Sequence, residues 1–222
     1  FGLVEMVPKT LQGTTAYSRQ LLIQSSIDIE AMIREEFAIA HALRIDKTAF
    51  YGLGAAGEPV GIYLAPDVNA RAVGGVPDGD DTVQSAVLVA EDNALMGSLG
   101  WATTPGMAGK LKRVFEVPGA TMGDVLWQGR IDEGTLDGYR ALTSNQVSKT
   151  MLGSAELGGS EHGAVFGNWR DMVIGMFAAM ELVVDPFSQK KKGLIEVTSF
   201  QMADMILRHG ESFTKWTGAT IV

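Results

Sequence analysis

The chain has 222 residues, enough to bury a sizeable core in one or two domains, and its 46% apolar and 20% charged residues exclude wholesale disorder. A formal net charge of −8, with 18 Lys and Arg against 26 Asp and Glu, argues against a tight grip on nucleic-acid phosphates. The absence of cysteine excludes disulfides, thiolate metal sites and cysteine nucleophiles, and is compatible with assembly in a reducing cytoplasm.

In chain order, "LVEMV" at residues 3–7 reads as a short extended segment stopping at Pro8. No run approaches the roughly 20 apolar residues that cross a bilayer, and no signal peptide opens the chain, so no membrane contact is expected. Because the first residue is Phe1 rather than Met, the N-terminus is expected to have been removed. The clearest element is a long helix over about residues 27–51, with Ser25 or Ser26 as its N-cap and Gly52 as its C-cap. Ile29, Met32, Ile33, Phe37, Ala40 and Leu43 fall at helical spacing and are expected to form its apolar face. Such a helix is more a beam than a packing unit. The glycines of "GLGAAGEPVGIY" leave a helix and run into Pro59, the wrong order for a phosphate-cradling loop, so a plain turn is expected.

Asp80 and Asp81 open a second helix through Val83, Val87 and Leu95, although "AVLVA" leaves a strand open. "GWATTPGMAGKLKRV" reads as a short strand ending near Thr103, then a helix with Pro105 in its first turn. Strands and turns follow from Val125 to Val147. "FGNWRDMVIGMFAAMELVVDPF", residues 166–187, is a nearly unbroken apolar run in which Asp171, Glu181 and Asp185 either serve chemistry or punctuate a strand. The lysine turn "SQKKKG" separates it from "LIEVTSFQMADMIL", where Leu194, Glu196 and Thr198 fall on one side and Ile195 and Val197 on the other. One long helix, shorter ones and many strands outside βαβ order point to an α+β fold.

The search for chemistry returns a negative. His41, His162 and His209 belong to no metal-ligand spacing, and no G-x-S-x-G elbow exposes a serine. Ser144 and Ser148 sit in a polar turn region, where serine satisfies backbone groups. Asp185 precedes Pro186, a turn arrangement, and Asp171 interrupts a strand or faces solvent. Lys190–Lys192 reads as a solvated hairpin turn, which also shields a sheet edge. The four tryptophans, not interleaved with basic residues, suit core or interface packing. No catalytic, cofactor-binding or metal residue is assigned.

The order of segments nevertheless resembles one family. "YSRQLLIQSSIDIEAMIREEFAIAHALRIDKTAFYGLGAAGEPVGI" resembles the spine-helix region of tailed-phage major capsid proteins with the Hong Kong 97 fold. "GWATTPGMAGKL", "GTLDGYRALTSNQV", "AVFGNWRDMVIGM", "GLIEVTSFQMADMIL" and "ESFTKW" continue that likeness in the same order across nearly all of the chain. The resemblance implies a two-domain α+β wedge: a peripheral domain over 1–65 and 181–205, and an axial domain over 66–180 and 206–222. It implies that the family's N-terminal arm and most of its extended loop are absent from this chain. It further implies a non-enzymatic subunit that assembles with copies of itself in hexamers and pentamers into an icosahedral head around double-stranded DNA, held non-specifically. A scaffolding segment or protein, a portal and decoration proteins would be the other partners, with assembly in the bacterial host cytoplasm and residence in the virion. The lysine–asparagine cross-link of some members is not carried over, because "FQMADMIL" lacks the expected acid-rich pattern. An encapsulin-like shell around stored cargo shares the fold and is the alternative. A small α+β enzyme using Asp171, Glu181 or His162 is the third reading.

Overall fold

The computed structural model describes residues 5–24, 28–55, 57–117, 122–155 and 158–222. It begins with a strand β1 (Lys9–Ser18), a short helix α1 (Arg19–Gln24) and the long helix α2 (Ile29–Tyr51). Strand β2 (Asn69–Gly75), helix α3 (Gly79–Glu91), strand β3 (Leu99–Thr103) and helix α4 (Pro105–Leu111) follow. Strands β4 (Trp127–Gly129), β5 (Glu133–Leu136), β6 (Tyr139–Thr143) and β7 (Ala164–Asn168) come next. The chain ends with β8 (Met172–Met176), β9 (Glu181–Asp185), β10 (Leu194–Leu207) and β11 (Phe213–Ala219).

Helix α2 has 23 residues, or about 34 Å at the standard rise. Its N-cap is Asp28, whose Oδ1 accepts the backbone N–H groups of Glu30 and Ala31, each at 3.1 Å. The expected caps Ser25 and Ser26 lie outside the described residues, as does part of "LVEMV". Residues 5–8 take no regular structure, and the extended segment starts just past Pro8. At the other end Gly52 is the cap, as its position implies, with φ −56° and ψ 133° rather than a left-handed turn. Glycine is needed there for room: a Cβ would lie 2.3 Å from the Pro59 carbonyl oxygen.

The buried side of α2 differs from the expected one. Ile29, Phe37 and His41 face inward with Ile33 partly buried, whereas Met32, Ala40 and Leu43 are exposed. In α3 the difference is similar. Asp78 caps it in a reciprocal box with Asp81, and Thr82, Ser85 and Val89 are buried while Val83 and Val87 face out. Leu95 lies beyond the helix end at Glu91. Helix α4 starts with Pro105 in its first turn, as its sequence implies, and Thr104 is its cap.

The apolar run 166–187 is broken into three strands. β7 belongs to a seven-stranded mixed sheet of order β2-β11-β7-β3-β6-β5-β4, whereas β8 and β9 belong to a second sheet with β1 and β10. Strand β7 is buried on both faces, which explains its continuous apolar texture. Phe166 enters a core with Trp101, Trp127, Leu111 and Trp216, while Val165 enters another with Tyr51, Tyr63 and Phe213.

In the second sheet β10 is central. β1 runs antiparallel along it from Lys9↔Ala203 to Ser18↔Leu194. Its other edge is shared end to end by β9, against residues 196–200, and β8, against residues 203–207. Opposed residues of an antiparallel pair share a face, so Tyr17, Ile195 and Val197 lie together, and they pack with Leu182 on Ile29, Ile33 and Phe37 of α2. This is the alternation legible in "LIEVT".

Helix α2 therefore enters two cores. Its N-terminal half covers the second sheet, and its last turn inserts Phe50 and Tyr51 under the seven-stranded sheet. Tyr51 stacks on Tyr63 with centroids 4.9 Å apart, and its hydroxyl accepts the Ser148 N–H at 2.9 Å. A beam fixed at both ends sets the angle between the two sheets.

Candidate assembly interface

The surfaces left over by this packing are broad. At 100° per residue, the side of α2 opposite Ile33 and Phe37 carries Asp28, Met32, Glu35, Ile39, Ala42 and Asp46 at alternating four- and three-residue spacing. Met32, Ile39 and neighbouring Leu43 are 53%, 48% and 45% exposed. Exposed apolar side chains recurring along one side of a solvent-facing helix make it a candidate contact surface. Its signal in the sequence is a second apolar period within the same helix, which apolar spacing alone does not separate from the first.

Strand β1 offers a second surface. Among the described residues nothing pairs with its outer edge, leaving the backbone donors and acceptors of alternate residues along this ten-residue strand open. The face of its sheet turned away from α2 shows Thr14, Thr198, Val183 and Met202, the last two exposed. The third surface is the β9–β10 hairpin, whose turn holds Lys190–Lys192 as the sequence implied, with Phe187 exposed beside them.

The candidate catalytic groups are not brought together. Asp171 ends the short turn between β7 and β8, where its Oδ2 accepts from Asn168 Nδ2 at 2.9 Å and Ser212 Oγ at 2.8 Å. Its carbonyl accepts the Arg208 N–H at 2.8 Å. It therefore ties the corner between the two sheets to the start of β11. Asp171→Ala is expected to cost about 1–3 kcal/mol, by orphaning part-buried donors, read as a lowered denaturant midpoint at unchanged slope. Glu181 is exposed at the start of β9, opposite Phe200. Asp185 closes a turn as expected: its carboxylate accepts from the N–H groups of Phe187 and Ser188 and from the Ser188 hydroxyl. Those bonds, the serine hydroxyl's first, hold its pKa below the usual carboxylate range.

His162 is buried, with Nδ1 2.7 Å from the Thr104 hydroxyl that caps α4. His41 is buried on α2, its Nε2 2.7 Å from Ser199 Oγ, which donates to the Gly13 carbonyl at 3.3 Å. Burial lowers both imidazole pKa values, and Lys149 adds to the effect at His162. The unfolded chain thus binds protons more readily than the folded one. The contribution of these two histidines to stability is expected to be constant above about pH 6.5, to fall as pH drops below it, and to level off beneath the folded values. His162→Gln should flatten part of that slope in denaturant midpoints measured between pH 8 and pH 5. Ser144 and Ser148 accept the N–H groups of Gln146 and Thr150, both at chain turns. Among the described residues no three His, Asp or Glu side chains gather as a metal cluster, and no helix is long and apolar enough to cross a membrane.

Residues 1–218 match the phage capsid family. The chain belongs to that family. It is 28% identical over 214 residues to the major capsid protein of Halomonas phage phiHAP-1, covering 96% of this chain and 33% of that protein. The chain thus spans about a third of the length of that curated relative. Its fold matches the capsid of a native GTA particle, with TM-score 0.70 and 18% identity over 97% of this chain and 74% of the other. It also matches a chain of Gordonia phage Cozz, with TM-score 0.66 and 15% identity over 96% and 70% of the two chains. The holo-SrpI encapsulin of Synechococcus elongatus PCC 7942 matches with TM-score 0.65 and 11% identity over 97% and 75%. The mixed helix and sheet architecture of this family member is that of phage capsid structures.

Proposed function

We propose that the chain is the shell-forming part of a phage major capsid protein, a structural and non-enzymatic subunit that assembles with copies of itself into an icosahedral head. The observation that carries this reading is the beam α2, anchored in two cores yet showing a seam of Met32, Ile39 and Leu43 to the outside. A monomer gains nothing from that seam, while a shell buries broad faces of this kind between subunits. The kinship with the Halomonas phage protein favours a virus.

Hexamers and pentamers, a scaffolding segment or protein, a portal, decoration proteins and non-specifically held DNA complete the reading, with assembly in the host cytoplasm and residence in the virion. The proposed peripheral part holds α2 and the sheet of β1 and β10; β8 at residues 172–176 also pairs with β10, so that sheet extends past the 180/181 division. The axial part is the seven-stranded sheet with α3 and α4. Sedimentation of the expressed full-length protein tests the reading: large closed particles are expected, and a monomer that persists at high concentration with scaffold supplied speaks against it.

The likeness to the encapsulin shell supports a second reading, a compartment for cargo enzymes. The gene's neighbours separate the two. A portal and packaging motor favour the head, and a cargo enzyme favours the compartment.

A further inference from the structure

The turn between β9 and β10 is built more firmly than a solvated loop requires. The Asp185 carboxylate holds the N–H groups of Phe187 and Ser188 from inside, and Gly193 closes the far end with φ 68°. Arg19 braces both sides, donating through Nη2 to the Pro186 carbonyl at 3.3 Å and through its backbone N–H to the Gly193 carbonyl at 3.0 Å. What this frame presents is Phe187, 72% exposed, beside Lys190, Lys191 and Lys192. Among the described residues none of the three ammonium groups has an acidic partner within 4.0 Å. A preorganised tip carrying an aromatic anchor and three unpaired cations loses little freedom on docking.

The outward side of α2 has the opposite character. Between and just beyond Met32, Ile39 and Leu43 stand Glu35, Glu36 and Asp46, all exposed and without ion-pair partners among the described residues. The helix's bases do not neutralise them. Arg44 is paired with Glu58, Lys47 is already engaged, and Arg34, though exposed, makes no ion pair with them among the described residues. A second α2 laid on this seam would set acid against acid, which disfavours a helix–helix contact between copies. A basic, apolar partner suits it instead. In a chain of net charge −8 the lysine tip is the one run of three consecutive bases. Within one copy the two do not meet, because α2 lies on the sheet through its opposite side.

We propose that the lysine tip of one copy seats on the outward side of α2 of a neighbouring copy, with Phe187 among Met32, Ile39 and Leu43 and the three lysines against Glu35, Glu36 and Asp46. The contact is heterologous, so each copy gives one tip and receives one, as a ring or closed shell requires. It rests on the self-assembly reading and names the surfaces through which that assembly runs.

The absence of cysteine permits a clean test in the full chain. Cysteine is placed at Lys190, Lys191 or Lys192 in combination with Glu35→Cys, Glu36→Cys or Asp46→Cys, and assembled particles are oxidised. At least one combination should give a ladder of covalent multimers beyond the dimer on a non-reducing gel, while each single variant stops at the dimer. In parallel, Lys190→Glu, Lys191→Glu and Lys192→Glu together should cut particle yield by about tenfold at low salt, and adding Glu35→Lys, Glu36→Lys and Asp46→Lys should restore most of it. Particles that form normally with the reversed tip and give no ladder overturn the contact. So does a reversed tip that leaves shell yield intact and lowers only the DNA retained, which would assign the lysines to nucleic acid. A wild-type chain that never assembles instead condemns the self-assembly reading itself.

Discussion

Trp216→Ala is expected to lower the unfolding free energy by about 3–5 kcal/mol, the range for emptying an aromatic site in a close-packed core. Trp216 is 1% exposed on β11, next to the strand β7 that is buried on both faces. Its indole meets Trp101 edge-on with centroids 5.1 Å apart, and Trp101 in turn packs on Phe166 at 4.9 Å. The indole N–H donates to Ser85 Oγ at 2.8 Å, tying α3 to the sheet. Truncation therefore opens a cavity and removes the bond that registers a helix on its sheet. A denaturant midpoint shifted at constant slope would match this account. A loss under about 1 kcal/mol would mean that the site collapses around the hole.

The second large effect concerns a residue with no side chain. Gly61→Ala should cost about 3 kcal/mol or more, because overpacking against backbone cannot be relieved by a rotamer change. A Cβ at residue 61 would lie 2.5 Å from the Gly52 nitrogen and 2.6 Å from the Phe50 carbonyl carbon. The chain is pressed there for a reason. The end of α2 has carbonyls with no helical partner, and the returning segment supplies donors: Gly61 N–H to the Gly52 carbonyl at 2.8 Å, Ile62 to Ala49 and Tyr63 to Phe50, each at 3.0 Å. The methyl would pry off the donors that fix the end of the beam. Amide exchange at Ile62 and Tyr63 should accelerate together with the lost stability. Gly109→Ala, where a Cβ meets nothing within 4 Å, is the control, expected to be neutral or slightly stabilising.

What the sequence disclosed follows from how locally each element is determined. Helix α2 could be read because its length, the acids at its start and Gly52 at its end act within a few residues. The strand end near Thr103 and Pro105 in the first turn of α4 were legible for the same reason, whereas the Thr104 cap came only from the structure. Strand β1, "KTLQGTTAYS", was not: its threonines and glycine carry little apolar alternation, and it is extended because β10, nearly 200 positions away, pairs with it. The division of residues 166–187 between two sheets was equally non-local, being settled by the Asp171 corner and its partner Ser212. Helix α2 buries a different side from the one its apolar spacing implies. Met32, Ala40 and Leu43 share helical spacing with Ile29 and Phe37, so apolar periodicity alone mixed the side packed on the sheet with the side left outside. Charge separates them, since Glu35 and Asp46 belong to the outer seam while the polar group of the inner one, His41, is a buried imidazole that meets Ser199 through Nε2 alone. The motif order that pointed to capsid proteins came from the succession of segments, not from any site, which fits a protein whose candidate chemical groups are dispersed.

In the proposed assembly this fold completes itself against its own copies, with α2 as the strut. An electron-microscopy reconstruction of particles formed by the full-length protein tests it most directly. A closed shell is expected, in which neighbouring subunits cover Met32, Ile39 and Leu43 and border the outer edge of β1. Shells that leave that side of α2 bare to solvent, or a protein dispersed as single copies under every assembly condition, would contradict it.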